Sequence, residues 1–170
     1  LEINTSHKIN SYSIISCGVD VGRFKNAEYA NIDIDLDKKI IIGYSGGLQK
    51  WQNVDRILDI VTDLKKLNNN IFFLLCTNSD ISPIKDKLEI LGSQNYKHYS
   101  LNSSQIPSYI KILDAGFLIR EDLILNRVSS PTKLAEYLAA GASVICTKFA
   151  GDYKRSIKHG SEGFIFNDIT

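Results

Sequence analysis

The sequence contains no methionine, and its first residue is leucine. Because a complete open reading frame begins with methionine, we expect the chain to be a piece of a longer protein. No apolar run approaches the ~18 residues that a membrane span needs, and no signal-peptide pattern is visible at the N-terminus. The 20 basic and 19 acidic side chains leave a net charge of +1, which gives no support for nucleic acid as the main partner.

Cysteine is scarce as well, at three residues, and no Cys-x-x-Cys motif occurs. Cys76 and Cys146 stand in apolar runs, which indicates buried free thiols rather than metal ligands or a disulfide. The odd count favours a reducing compartment, the cytoplasm. The histidines lack metal-ligand spacing, so we expect no metal and no other cofactor.

Apolar runs that suit strands alternate with segments that carry helical spacing. The expected strands are Tyr12–Cys17, Ile40–Ser45, Ile71–Cys76, Tyr96–Leu101, Ala115–Ile119, Ala142–Cys146 and Gly163–Phe166. Expected helices begin near Val54, Ser82, Ser103, Ser130 and Asp152, whereas residues 22–38 are expected to be loop. This order predicts an α/β fold, a doubly wound Rossmann-like parallel sheet with helices on both faces. We expect a hinge segment at 1–20 and one domain at 21–170.

The segment from Arg127 to Thr147 predicts a loop, a helix, a turn and a buried strand. Ser130 suits the N-cap position, and Pro131 suits the first helical position. Gly141 can end the helix because it tolerates the left-handed conformation.

Lys133 and Glu136 are three residues apart and therefore lie on one side of this helix. A lysine in the first turn opposes the helix dipole unless an anion lies nearby. With the hydroxyls of Ser130 and Thr132 and the free N–H groups, it makes a phosphate site, and Glu136 could accept from sugar hydroxyls. The alternative is a solvated Lys–Glu pair on an ordinary helix, and spacing alone does not decide between them.

The expected topology brings a second feature to this helix start. In the strand order 3-2-1-4-5-6, ligands bind at the carboxyl ends of strands 1 and 4, where the order reverses. The loop after strand 1 contains Gly46, Gly47 and Lys50, and its glycines allow a close backbone approach. The segment after strand 4 leads through Arg120 and Arg127 to the helix start. This convergence on one crevice favours the phosphate interpretation.

Residues 130–145 (SPTKLAEYLAAGASVI) resemble the donor-binding helix of GT-B glycosyltransferases. The family is the retaining one called glycosyl transferases group 1 (family 4 like), with many polysaccharide and lipopolysaccharide enzymes. Further similar segments are Ile15–Asp20 with Phe24, Ile42–Leu48, and the closing Gly151, Ile157, Gly160 and Gly163.

The resemblance implies that the chain is a C-terminal domain that binds a nucleotide-sugar donor. It implies that Lys133 and the amides near Thr132 contact phosphate and that Glu136 contacts the ribose. No metal is usually needed, because basic side chains and the helix start carry the phosphate charge. The acceptor comes mainly from an N-terminal domain, through which the protein could associate with the inner face of the membrane. Catalytic residues remain unassigned.

The sequence departs from the family pattern at three positions. Val128 stands where the family often has a glutamate, and Gly47 stands where it often has an arginine. Arg155 replaces a glutamate of the closing stretch. Arg120 and Arg127 could supply the charge that is lost at Gly47, and Lys50 is a further substitute.

The leading hypothesis is therefore the donor domain of a hexosyltransferase in surface polysaccharide or lipopolysaccharide synthesis, inactive without its N-terminal domain. One alternative with the same architecture is a nucleotide-sugar 2-epimerase. Another is a non-catalytic nucleotide-binding module, to which Val128 gives some weight.

Overall fold

The computed structural model describes residues 11, 13, 15–151 and 157–167. Within them lies a six-stranded sheet in the order β3-β2-β1-β4-β5-β6, and every neighbouring pair is parallel. The strands are β1 (Ile40–Ser45), β2 (Ile71–Cys76), β3 (Tyr96–Tyr99), β4 (Ala115–Leu118), β5 (Ser143–Thr147) and β6 (Gly163–Phe166). The predicted doubly wound α/β fold is confirmed, and β1, β2 and β6 have the predicted bounds.

Six helices occur in the described part of the chain. They are α1 (Val21–Lys25), α2 (Val54–Leu67), α3 (Lys85–Leu91), α4 (Ile106–Ile110), α5 (Ile124–Arg127) and α6 (Thr132–Ala140). The expectation of loop over 22–38 is wrong at α1, where the Asp20 side chain accepts from the Arg23 N–H and caps the helix. None of these helices is long and apolar enough to cross a membrane.

Two predicted elements fall wholly or partly outside the described residues. Of the strand expected at 12–17, Tyr12 and Ile14 are not described, and Ile15–Cys17 belong to no strand. Residues 152–156 of the helix expected after Asp152 are not described either, and Ile157 and Lys158 are not helical.

The sheet buries an apolar cluster on each face. β2 is buried at all six residues, with Phe72, Leu74 and Cys76 facing one cluster and the alternate residues facing the other. Helices α2 and α3 cover one face, while α1, α4 and α6 pack on the opposite one. Cys76 and Cys146 are free and buried as predicted, and burial raises the pKa of the Cys76 thiol to about 12.

The helix starts differ from the cap predictions. The N-cap of α6 is Pro131 rather than Ser130, and the Ser130 hydroxyl accepts from the Cys17 N–H at 2.8 Å. Ser82, near which a helix was expected to begin, lies in a 3-10 turn before α3, and its hydroxyl donates to Asp80 at 2.7 Å. At the other end of α6, Gly141 adopts the predicted left-handed conformation, with φ of 87°.

Candidate functional site

Strands β1 and β4 form the predicted reversal of the sheet and separate towards their carboxyl ends. β1 pairs with β2 along six residues, but with β4 only through Ile42 and Gly43. The Tyr137 side chain of α6 lies beside this opening, and its hydroxyl accepts from the Ser45 N–H at 3.0 Å. Gly116 leaves room for the ring, since a Cβ at that position would lie 2.6 Å from it. The hydrogen bond from Ser45 and the close packing at Gly116 therefore hold Tyr137, and with it α6, beside the crevice.

Lys133 lies one helical turn before Tyr137 and crosses the glycine loop. A Cβ at Gly46 would collide with the Cε and Nζ atoms of Lys133, and Gly46 also has a positive φ of 140°. The Lys133 ammonium lies 5.1 Å from the centre of the Tyr44 ring. Gly46 thus allows the lysine side chain to lie along the floor of the crevice.

Gln52 connects Lys133 to Arg120. Its Oε1 accepts from Lys133 Nζ at 2.8 Å and from Arg120 Nη1 at 2.7 Å. Arg120 also donates to the Trp51 carbonyl at 2.8 Å. Sequence reasoning missed Gln52, because a neutral amide in a loop carries no charge or motif that marks it.

The crevice concentrates positive charge away from water. Arg120 is only 6% exposed, and its Nε has no hydrogen-bond partner. Burial, assisted by the charge of Arg120, lowers the pKa of Lys133 to about 8. The hydrogen-bond acceptors observed for both cations are neutral oxygens. An anion that entered here would therefore gain two charge-assisted contacts.

Glu136 is half-buried on the same helix as Lys133. Burial raises the pKa of its carboxyl, and the positive charges of Lys133 and Arg23 oppose that shift. Its position one turn deeper than the helix start agrees with the placement expected from the sequence.

The remaining predicted site residues differ in their relation to this polar network. Gly47 belongs to it through its carbonyl, which accepts from the Tyr44 hydroxyl at 2.6 Å. Arg127 is exposed and pairs with Asp122, with Nη2 at 2.7 Å from Oδ2. Lys50 and Thr132 are exposed, and Ser130 holds the Cys17 amide. In the described part of the chain, no three His, Cys, Asp or Glu side chains group as metal ligands would.

A cavity of about 320 Å³ adjoins the glycine loop between the ends of β1 and β2. One wall is polar, from Thr77 to Ser79, and the other contains Leu101 and Ile106. Ser79 Oγ accepts from the Leu48 N–H at 3.2 Å, which ties the glycine loop to this wall. The cavity was not foreseen, because its walls come from segments that are distant in sequence.

Comparison with known proteins gives a family and a fold. The family described as glycosyl transferases group 1 matches residues 27–168. No curated protein sequence matches the chain.

Solved structures share the fold at low sequence identity. The C-terminal domain of the group 1 glycosyltransferase LpcC from Francisella tularensis is 20% identical with a TM-score of 0.64, covering 88% of this chain and 80% of that domain. WaaG, a glycosyltransferase involved in lipopolysaccharide biosynthesis, is 16% identical with a TM-score of 0.68, over 91% of this chain and 42% of its own. Anabaena HepE, solved with UDP and glucose, is 15% identical with a TM-score of 0.63, and the match covers 87% of this chain and 41% of HepE. The chain thus spans about two-fifths of the length of WaaG and HepE.

Proposed function

The chain belongs to the glycosyl transferases group 1 family, and from that membership we propose that it binds the nucleotide diphosphate of an activated sugar. The whole protein then transfers the sugar to a glycan, lipid or other acceptor, in the synthesis of a surface polysaccharide or lipopolysaccharide. The observation that carries the proposal is the meeting of two desolvated cations, Lys133 and Arg120, at the reversal of the sheet. Open α/β sheets bind their ligands at this place.

The diphosphate lies across Lys133 and Arg120 in this proposal. The glycine loop lets the phosphates approach the backbone at Gly46 and Gly47, and the start of α6 adds N–H groups and a favourable dipole. These groups neutralise the diphosphate charge without a metal. Their part in transfer is electrostatic, since the sugar–phosphate bond breaks and leaves additional negative charge on the departing diphosphate.

The nucleoside lies next to this phosphate position, with its ribose at Glu136 and its base in the neighbouring cavity. Glu136 accepts hydrogen bonds from the ribose hydroxyls, as the family resemblance implies. The neighbouring cavity of about 320 Å³ has one apolar and one polar wall and receives the base. HepE, which has the same fold, was solved with UDP and glucose, and this supports the choice of ligand class.

Four predicted residues contribute less directly in this proposal. Arg127 and Lys50 are exposed, and in this proposal their positive charge attracts the donor. Thr132 opens α6 and offers its hydroxyl and N–H to phosphate. Ser130 positions the helix start through its contact with the Cys17 amide.

A thermal-shift panel of nucleoside diphosphates, nucleotide sugars and the matching nucleoside monophosphates tests the proposal. We expect stabilisation by at least one diphosphate series, because a ligand that binds only the folded state raises its melting temperature. The monophosphates should stabilise less, since they lose one charged group. If no member of the panel shifted the melting temperature at millimolar concentration, the proposal would be wrong.

One observation keeps the non-catalytic alternative as a second candidate. Val128 is 68% exposed at the position where the family often has a glutamate. The full-length protein distinguishes the candidates through its products: a new glycoside from a transferase, free sugar and nucleotide from an epimerase, and no product from a binding module.

A further inference from the structure

The side-chain oxygen of Gln52 is the point on which both cations converge. Lys133 Nζ lies 2.8 Å from it and Arg120 Nη1 lies 2.7 Å from it. The Tyr44 hydroxyl is 3.1 Å away, but its single proton has a shorter contact with the Gly47 carbonyl at 2.6 Å. The two cations therefore use both lone pairs of the amide oxygen.

A neutral amide is a weak partner for two buried positive charges. Charge-assisted bonds are strongest when the acceptor is an anion, so a phosphate oxygen at the same point would bind both cations better than Gln52 does. Arg120 also keeps a buried Nε that has no partner, which shows that its environment is incompletely satisfied. Gln52 Oε1 thus occupies the position from which an anionic ligand oxygen would neutralise the charges of Lys133 and Arg120.

The backbone allows Gln52 to leave this position by side-chain rotation alone. Gln52 ends the short 3-10 turn Lys50–Gln52, and its N–H donates to the Gln49 carbonyl at 2.8 Å. The following Asn53 N–H donates to the Lys50 carbonyl at 3.1 Å, so the turn is fixed on both sides. The Gln52 side chain is only partly buried, which gives the amide a route to solvent.

We propose that Gln52 is an internal substitute for the donor phosphate. In the free domain its amide oxygen holds Lys133 and Arg120 together, and in the complex a diphosphate oxygen displaces it. This inference rests on the proposed function, because it concerns the same site. It makes Gln52 a positioning residue that stabilises the free state and competes with the ligand.

The substitution Gln52→Ala separates displacement from direct ligand contact. If Gln52 acts only in the free state, its loss lowers the melting temperature of the free protein and tightens binding. Because Gln52 accepts from both cations, but water can take its place in the variant, we expect about two- to tenfold higher affinity for inorganic pyrophosphate and for UDP. At saturating ligand, wild type and variant should melt at the same temperature. These effects are measured by calorimetric titration and by thermal melting with and without ligand.

Three further variants complete the design. Gln52→Met keeps the side-chain length but lacks a comparable hydrogen-bond acceptor. It should show the same changes in melting temperature and affinity as Gln52→Ala, and it replaces that variant in the test if Gln52→Ala does not fold. Gln52→Glu gives the cations a permanent anion, so it should raise the melting temperature and weaken pyrophosphate binding at least about tenfold. Gln94→Ala, in the exposed 3-10 turn Ser93–Asn95, is the matched control and should change neither quantity.

The outcomes distinguish this inference from the proposed function. Equal or weaker binding by Gln52→Ala and Gln52→Met, with wild-type binding intact, would overturn the displacement of Gln52 and leave the donor site standing. If Gln52→Ala still melted at a lower temperature than the wild type at saturating ligand, the displacement of Gln52 would also be overturned and the donor site would stand. If neither the wild type nor the variants bound pyrophosphate or any nucleoside diphosphate of the panel, the proposed function and this inference would both be wrong.

Discussion

The hydroxyl of Tyr137 accepts a hydrogen bond from the N–H of Ser45 at 3.0 Å, and this contact joins α6 to the end of β1. Ser45 lies two residues beyond Gly43, the last residue of β1 that pairs with β4. The tyrosine thus satisfies a buried amide at the point where the sheet opens. Because Lys133 precedes Tyr137 by one turn of α6, the same contact positions the lysine over the glycine loop.

Tyr137→Phe should therefore reduce both stability and ligand binding. Loss of the hydroxyl leaves the Ser45 N–H buried without this acceptor, so we expect the free energy of unfolding to fall by about 1–3 kcal/mol. Denaturant unfolding measures the loss. Tyr29→Phe is the control, since Tyr29 is 65% exposed. Equal unfolding midpoints for Tyr137→Phe and wild type would refute the structural role of the hydroxyl.

Binding of a diphosphate should depend on pH through Lys133. Its pKa is lowered to about 8, so the ammonium loses its proton as the pH rises from 7 to 9, and pyrophosphate affinity should fall over that range. The bound anion favours the charged form, so binding near pH 8 should take up protons. Calorimetry in buffers of different ionisation enthalpy measures this uptake, and Lys133→Ala should abolish it.

Lys133 should also make stability depend on pH, with a definite sign. The pKa of Lys133 is about 8 in the folded chain against the ordinary lysine value of 10.5, so the unfolded chain binds more protons between these values. The contribution of Lys133 to stability therefore increases as the pH rises through this window. The wild type should gain more stability than Lys133→Ala between pH 8 and 10; a smaller gain would contradict the assigned shift.

Glu136→Ala should discriminate between ligands that do and do not contain a ribose. If the carboxylate accepts from ribose hydroxyls, UDP should lose about 1.5–3 kcal/mol of binding free energy, whereas pyrophosphate should lose little. Parallel calorimetric titrations compare the two ligands, with the exposed Glu89→Ala as control. Similar losses for both ligands would remove Glu136 from the ribose contact.

The 170-residue chain alone should bind a donor nucleotide without transferring sugar. Transfer needs donor and acceptor held at reacting distance and shielded from water, and WaaG and HepE are more than twice as long as this chain. The test incubates the chain with labelled nucleotide sugars and candidate acceptors, with and without EDTA. Turnover by the chain above a Lys133→Ala background would show that it contains sufficient catalytic groups.

The sequence predicted the strand order because apolar runs determine the sheet. Ile40–Ser45 and Ile71–Cys76 are bounded by turn residues, so their limits and burial could be read directly. Once strands 1 and 4 were identified, the rules of chain connection placed Gly46 and Lys133 at one crevice. The structure has β1 and β4 paired in parallel, as expected.

The polar partners could not be predicted in the same way, because tertiary contacts select them. Ser130 bonds to Cys17, 113 residues away, although its local sequence favours a helix cap. Gln52 meets Arg120 across 68 positions and Lys133 across 81 positions. The partner of Arg127, by contrast, is close in sequence. Asp122 lies five positions before it, so the ion pair could have been predicted from the sequence.

The proposed function depends most on the assignment of Lys133 to the diphosphate. The direct measurement is a calorimetric titration of UDP and GDP into wild type, Lys133→Ala and the control Lys66→Ala, in EDTA. Lys66 is an exposed lysine at the far end of α2. We predict that Lys133→Ala loses about 1.5–3 kcal/mol of binding free energy, which is roughly ten- to 150-fold in affinity, while Lys66→Ala matches the wild type. Equal affinity of wild type and Lys133→Ala for every diphosphate that binds would contradict it.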